Sequence, residues 1–226
     1  MMHRVLAEWI GTAFLLAAVV GSGIMGEALA GGSIAVALLA NTLATGAALY
    51  ALIVTLGPIS GAHFNPLVSV LMVLRGDLVR ELLPHYVIAQ VTGALFGVVV
   101  AHAMFDLPLL QLSAKLRPGI SLMVSEFVAT CALLCVILLV SRQRPAATPS
   151  AVASVIMAAY WFTASTSFAN PAVTLARAFT NTFAGIRLAD APGFVAAQLL
   201  AMSLCTALAY RQCQPVVTSP QCSVQL

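Results

Sequence analysis

Two short segments carry the residue types that could orient a small polar molecule inside an apolar protein. They read Asn65-Pro66-Leu67 and Asn170-Pro171-Ala172. Asn is a favoured helix N-cap, and Pro is favoured at the first helical position because its missing N–H would lack a partner there anyway. Each Asn-Pro pair therefore predicts a helix start at which an amide side chain has N–H groups to offer to an oxygen atom.

The apolar run after each Pro is too short to cross a membrane. It extends from Pro66 to Leu74 and from Pro171 to about Phe179. A helix of that length covers roughly half of a ~30 Å bilayer core. Asn-Pro has two interpretations, either the start of an ordinary helix or the start of a half-helix at membrane depth. Two copies in matched places favour the second interpretation.

Composition places these segments in a membrane protein. The chain has 226 residues, 61% hydrophobic and 8% charged, with a mean hydropathy of +1.02, whereas soluble domains carry about 25% charge. The net charge of +3 is spread along the chain. Because no basic patch is present, nucleic acid is excluded as an expected partner.

Catalytic and metal-binding motifs are missing from the sequence. It contains neither HExxH nor GxSxG, the four histidines are scattered, and the five cysteines have no CxxC spacing. Cys131, Cys135 and Cys205 lie in apolar segments, whereas Cys213 and Cys222 lie in a polar tail. We therefore predict no enzyme activity, no metal site and no cofactor.

The hydrophobic pattern predicts six transmembrane spans around the two half-helices. Gly57-Pro58 is expected to break the second span. We expect one domain over 1–210, made of half-repeats at about 4–106 and 119–210, followed by a disordered polar tail at 211–226. The predicted spans are 4–26, 34–56, 84–105, 120–140, 149–164 and 193–210.

Charge predicts the orientation in the membrane. An even number of spans puts both termini on one side, and a cytoplasmic N-terminus places more basic residues inside than outside. The inner group would be Arg4, Arg75, Arg80, Arg142, Arg144 and Arg211, and the outer group Lys115, Arg117, Arg187 and Arg177. Both termini are therefore expected in the cytoplasm.

The two halves of the chain look duplicated. Glu8 near the start of the first span matches Glu126 in the fourth, and Gln90 in the third span matches Gln198 in the sixth. The Asn-Pro segments form the third pair, and the order is the same in each half. Because each half has three spans, the repeats must be inverted in the membrane. Inverted repeats with broken helices at the midplane are typical of a permeation pathway.

These paired motifs, together with the sequence His63-Phe64-Asn65-Pro66, resemble those of the aquaporin family, also called the major intrinsic proteins. The resemblance covers the chain from about Glu8 to Tyr210. It implies an all-α membrane protein of six tilted helices and two re-entrant half-helices around one pore, assembled as a homotetramer. The short loops and small size are similar to those of bacterial inner-membrane members.

The expected function is a passive channel for water and small neutral solutes. Two helix N-termini that meet at the midplane direct positive dipole ends at one point, which raises the energy of a cation there. The amides of Asn65 and Asn170 would orient a permeating water from both sides, which interrupts a proton wire.

The carboxylates of Glu8 and Glu126 have two interpretations. A charged residue within a span is costly and is a functional candidate by default, so one alternative is a proton-coupled small-solute transporter that uses both residues as relays. The other is structural support of the re-entrant loops, which the duplication favours. His63 could line the pore through its backbone carbonyl, pack within its loop, or sense pH.

The resemblance also points to a selectivity filter. Its four positions correspond to Thr45, Ala158, Ser167 and Val173, where most family members have Arg in place of Val173. Four small uncharged residues imply an opening that is wider and less polar than a water-only filter. Glycerol, urea-sized solutes and neutral metalloid hydroxides such as arsenite would fit it.

Two nearby residues leave alternatives open. Arg177, one helical turn beyond Val173, could replace the missing charge, extend to the lipid headgroups or pair with a loop. Leu67, where the family usually has Ala, could narrow the centre of the pore or pack sideways.

Overall fold

The computed structural model describes residues 1–212, which form eight α-helices and two short 3₁₀ turns and contain no strand. The 3₁₀ turns are Arg80–Leu82 and Pro145–Ala147. The helices are α1 (Met2–Leu29), α2 (Ile34–Ser60), α3 (Pro66–Arg75), α4 (Leu83–Met104), α5 (Ile120–Gln143), α6 (Thr148–Phe162), α7 (Pro171–Arg177) and α8 (Ala191–Gln212).

This order confirms the predicted fold class of long apolar helices and two short ones. α3 has 10 residues and α7 has 7, so they are about 15 Å and 10 Å long. Of the predicted tail, 211–212 continue α8, and the remainder, with Cys213 and Cys222, lies outside the described residues.

The prediction that Gly57-Pro58 ends the second span is wrong. α2 continues through Pro58 to Ser60 and ends at Gly61, whose φ is 94° and whose N–H donates to the Gly57 carbonyl. A left-handed residue at this position ends a helix at little cost only when it is Gly. The helix therefore ends where the backbone can reverse its φ angle.

Five helices in the described part are long and apolar enough to cross a bilayer, namely α1, α2, α4 with its preceding 3₁₀ turn, α5 and α8. α6 has 15 residues, about 22 Å, and the 3₁₀ turn at Pro145–Ala147 extends it. It packs between α2 and α5, so we assign it as the sixth span. Large apolar side chains such as Phe14 and Ile88, each 64% exposed, cover the outer faces of the helices, as contact with lipid requires.

The packing follows the predicted duplication. α1 packs against α4 and α2, and α5 packs against α8 and α6. The half-helices cross between the halves, because α3 contacts both α4 and α8, whereas α7 contacts both α8 and α4. Each half therefore encloses the short helix of the other as well as its own.

Two glycines let α1 and α4 approach closely. A Cβ at Gly93 would lie 2.4 Å from the Trp9 carbonyl oxygen, and one at Gly97 would lie 2.1 Å from the Ala13 carbonyl oxygen. Small residues four apart are how membrane helices bring their backbones together, since lipid provides no hydrophobic driving force between them.

We expect Gly97→Ala to destabilise the protein, because the added methyl group meets backbone that cannot move without separating α1 from α4. Overpacking of this kind costs about 1–3 kcal/mol. Thermal unfolding in detergent measures it, with Gly57→Ala as the control, since no atom lies within 4 Å of a Cβ there. Equal melting temperatures for both variants would contradict the close-packing account.

Candidate functional site

Asn65 and Asn170 begin the two half-helices as the sequence predicts. The Asn65 Oδ1 atom accepts from the N–H of Leu67 at 2.9 Å. The Asn170 Oδ1 atom accepts from the N–H groups of Ala172 and Val173 at 2.9 and 3.3 Å. Each side-chain oxygen is thereby committed to its helix, which leaves the amide nitrogen free to bond elsewhere.

The amide nitrogens join the two loops. Asn65 Nδ2 donates to the carbonyl of Ala169 at 2.8 Å, and Asn170 Nδ2 donates to the carbonyl of Phe64 at 2.7 Å. No sequence pattern predicted these reciprocal bonds, which link residues more than a hundred positions apart. They bring the two helix N-termini together, and each NH₂ group keeps a second hydrogen for a solute.

Both loops adopt the same strained backbone before their Asn. Ala62 and Phe64 have φ angles of 51° and 49°, and Ser167 and Ala169 have 49° and 48°. Left-handed conformations of non-glycine residues cost about 1–3 kcal/mol each and persist only where the surroundings enforce them. The surroundings must therefore hold the loops firmly.

Glu8 holds the first loop. Its Oε1 atom accepts from the Ser60 hydroxyl at 2.6 Å and from the His63 N–H at 3.0 Å, and its Oε2 atom accepts from the Phe64 N–H at 2.7 Å. Gln90 Nε2 donates to the same Oε2 at 2.8 Å. The side chain is fully buried, and four donors surround it.

Glu126 holds the second loop in the same way. Its Oε1 accepts from the Phe168 N–H at 2.9 Å, and its Oε2 accepts from the Ala169 N–H at 2.8 Å. Gln198 Nε2 donates to Oε2 at 2.7 Å and to the Thr174 hydroxyl at 2.9 Å. These contacts favour structural support over a proton relay, because both carboxylates accept bonds that the strained loops need.

Asn65 and Asn170 both line a cavity of about 270 Å³. It extends from Arg4 near the start of α1 to Arg177 at the end of α7. We refer to these as the Arg4 end and the Arg177 end. Its apolar wall is formed by Leu15, Val19, Leu49, Ile53, Val68, Met72, Leu133, Ile137, Val152 and Ile156.

Three of the four predicted filter positions line this cavity, namely Thr45, Ser167 and Val173. Ala158 does not line it and is instead exposed on the outer face of α6. Tyr160 lines the cavity in its place, and its hydroxyl donates to Thr45 Oγ1 at 3.5 Å. The four-residue spacing of Val152, Ile156 and Tyr160 was the available signal, because it places them on one helix face.

The remaining predicted site residues lie near the cavity in different roles. His63 lines it, and its imidazole Nδ1 lies 3.0 Å from the Ser69 hydroxyl and its ring packs against Tyr86 at 5.3 Å. Leu67 is 2% exposed and is not among the cavity-lining residues, so it packs sideways. Ala172 is buried in the same manner, and Pro66 and Pro171 occupy the first position of each half-helix.

The loop between α4 and α5 folds over the Arg177 end. Arg117 from this loop donates through Nε to the Gly185 carbonyl at 2.9 Å and through Nη1 to the Ser165 carbonyl at 3.1 Å. Burial lowers the pKa of its guanidinium below the ordinary value. A hydrogen bond from Arg187 lowers the pKa of Asp190, whose carboxylate accepts from the Arg117 N–H at 2.9 Å.

Known proteins are similar to this chain in sequence and in fold. Residues 1–167 match the family described as Major intrinsic protein, a match that ends before the second Asn-Pro segment. The chain is 55% identical over 213 residues to aquaglyceroporin AqpS of Rhizobium meliloti (strain 1021), covering 94% of this chain and 91% of that protein. It is 32% identical over 105 residues to aquaporin Z of Brucella melitensis, covering 46% of this chain and 45% of that protein.

The fold also matches the X-ray structure of the aquaglyceroporin from Plasmodium falciparum with a TM-score of 0.71. The match covers 94% of this chain and 97% of that chain at 20% sequence identity. At that level of identity the likeness concerns the fold alone.

We expect Glu126→Gln to lower the free energy of unfolding by about 1–3 kcal/mol, because one amide NH₂ would then face backbone donors in place of an acceptor. Thermal unfolding in detergent measures the loss. Glu27→Gln is the matched control, since Glu27 is exposed at the end of α1. An unchanged melting temperature for Glu126→Gln would show that the second loop does not depend on the carboxylate.

Proposed function

The chain belongs to the major intrinsic protein family of membrane channels, and on this premise we propose that it passively conducts water and small uncharged solutes. The proposed solutes are glycerol, urea-sized molecules and neutral metalloid hydroxides such as arsenite. The observation that carries the proposal is the meeting of both Asn amides, at two helix N-termini, on the wall of one cavity.

The cavity lining is an argument for glycerol as a solute, because one part of the lining is polar and the rest is apolar. Asn65 and Asn170 each have a free amide hydrogen, and the Ser167 hydroxyl is buried on the cavity wall with no hydrogen-bond partner among the described residues. These groups could bond the hydroxyls of a polyol while its carbon chain contacts the apolar wall. The relative AqpS is named an aquaglyceroporin, which supports the same solute class.

The size of the opening is set by Val173 together with Tyr160. Val173 leaves space where an arginine side chain would extend into the cavity, and it is 6% exposed on the cavity wall. Tyr160 is larger than Ala158, the residue that the sequence analysis predicted at this filter position. We therefore propose an opening that admits glycerol and neutral metalloid hydroxides but is narrower than four small residues would make it.

Assembly and location extend the proposal. We propose a homotetramer in a bacterial inner membrane, with both termini in the cytoplasm. Arg75 donates to Ser141 at 2.9 Å, and Ser141 and Arg4 both line the Arg4 end of the cavity. The sequence predicts six basic residues on the side of that end and four on the other side, which supports its cytoplasmic assignment.

The alternative function is proton-coupled transport through Glu8 and Glu126. For a passive channel, we expect glycerol flux in proteoliposomes to be the same with and without an imposed pH gradient. Stopped-flow light scattering at matched internal and external pH, and then across a one-unit gradient, measures this. Flux that follows the gradient and loses that dependence in Glu8→Gln would support the transporter instead.

We expect Val173→Arg to reduce glycerol permeability by at least about tenfold, a barrier increase of about 1.4 kcal/mol, because the longer side chain fills the opening. Re-swelling of liposomes in glycerol and urea gradients, against sucrose as the impermeant reference, measures this. Val173→Met separates length from charge. Fast water flow with no glycerol entry in the unmodified protein would contradict the proposed solute class.

A further inference from the structure

A buried cation lies one turn beyond the uncharged filter position. Arg177 follows Val173 by four residues on α7, is 3% exposed, and lines the Arg177 end of the cavity. This burial contradicts one of the three interpretations of Arg177 that the sequence left open, namely extension to the lipid headgroups. A side chain this deeply buried on the cavity wall does not extend to lipid headgroups.

The Arg177 side chain is fixed by two contacts. Its Nε atom donates to the carbonyl of Ala184 in the loop after α7. Its guanidinium lies over the Phe168 ring, 3.4 Å from the ring centroid. Stacking on an aromatic face is a favoured geometry for a desolvated guanidinium, so the charge is held in one place.

A second guanidinium contacts the same ring. The Arg117 guanidinium carbon lies 5.1 Å from the Phe168 centroid, and the hydrogen bonds to the carbonyls of Ser165 and Gly185 hold this side chain against the second re-entrant loop. Phe168 therefore positions two positive charges at the Arg177 end, and Arg117 restricts how far the ring can move.

No carboxylate neutralises this pair of charges directly. Among residues 1–208, whose side chains the structure describes, neither guanidinium lies within a salt bridge. The Glu126 carboxylate is near enough to act on both charges, but its oxygens accept from the N–H groups of Phe168 and Ala169. The Arg177 end of the pathway thus carries net positive charge in a poorly hydrated site, where Coulomb interactions are weakly screened.

We propose that Arg177 is the specificity-determining residue that excludes cations from this pathway, with Phe168 and Arg117 as its positioning residues. It provides from a different backbone position the charge that Val173 does not, and its guanidinium leaves the space at Val173 open for a solute. The inference rests on the proposed channel function. It assigns to this end a preference for neutral solutes whose oxygens accept hydrogen bonds from a guanidinium.

The test compares two variants that differ in charge at the same position. Arg177→Gln keeps an N–H donor for the Ala184 carbonyl but removes the charge, whereas Arg177→Lys keeps the charge. Purified proteins in liposomes are assayed for glycerol entry by stopped flow and for K⁺ leak by a fluorescent indicator. Arg144→Gln, which changes an exposed arginine at the end of α5, is the matched control.

We expect Arg177→Gln to raise K⁺ leak at least about tenfold while glycerol entry continues, and Arg177→Lys and Arg144→Gln to leak no more than the unmodified protein. Exclusion of K⁺ that is kept in Arg177→Lys and lost in Arg177→Gln, with glycerol entry continuing in both, separates a charge requirement from a merely structural one.

An unchanged K⁺ leak in Arg177→Gln, with glycerol entry intact, would overturn the inference but not the channel. Absence of glycerol entry in the unmodified protein would instead overturn the proposed function. If Arg177→Gln does not fold, Arg117→Gln decides the question. It removes the second charge over Phe168 and should raise K⁺ leak by a smaller factor, and no increase would refute the role of the pair.

Discussion

The need to satisfy backbone N–H groups at membrane depth governs this structure. Non-helical backbone is tolerated inside a bilayer only where protein or a watery cavity provides its hydrogen-bond partners. Here each re-entrant loop directs two backbone N–H groups towards one buried carboxylate, Glu8 or Glu126. The charge that appears costly in the sequence is therefore what permits the loops to exist.

That support leads directly to the pathway. With their N–H groups held, the loops keep strained left-handed residues at Phe64 and Ala169, and the carbonyls of these two residues accept from the opposite Asn. The two half-helices are thereby fixed end to end, with their N-termini directed at each other. A cation at this point meets two positive dipole ends, whereas a neutral solute meets amide donors.

In the proposed channel, selectivity for solutes divides between the centre and the Arg177 end. The centre consists of loop backbone and the side chains of Asn65 and Asn170. Reciprocal hydrogen bonds between the two halves of the chain hold these groups in position. The Arg177 end instead combines side chains from α2, α6 and α7 with the loop that carries Arg117. Such an arrangement can change its solute preference through a few side chains while the loops that create the pathway stay the same.

The sequence by itself determined the fold class, the half-helix starts and the pairing of Glu8 with Glu126, while it left the role of these carboxylates open between loop support and a proton relay. These features follow from local rules, since apolar length, Asn before Pro and a duplicated Glu in an apolar span each have a direct physical meaning. The fold class was therefore predictable from the sequence, including the inverted halves implied by three spans each.

Tertiary structure alone decided which side chains face the cavity. The four-residue spacing of Val152, Ile156 and Tyr160 places them on one face of α6, but it does not show that this face lines the cavity and that Ala158 faces outward, because lipid and protein interior are equally apolar. The bonds between each Asn and the opposite loop, and the stacking of Arg117 and Arg177 on Phe168, join residues far apart in the chain. Such contacts depend on helix rotation and loop path, which only the packing of the whole chain fixes.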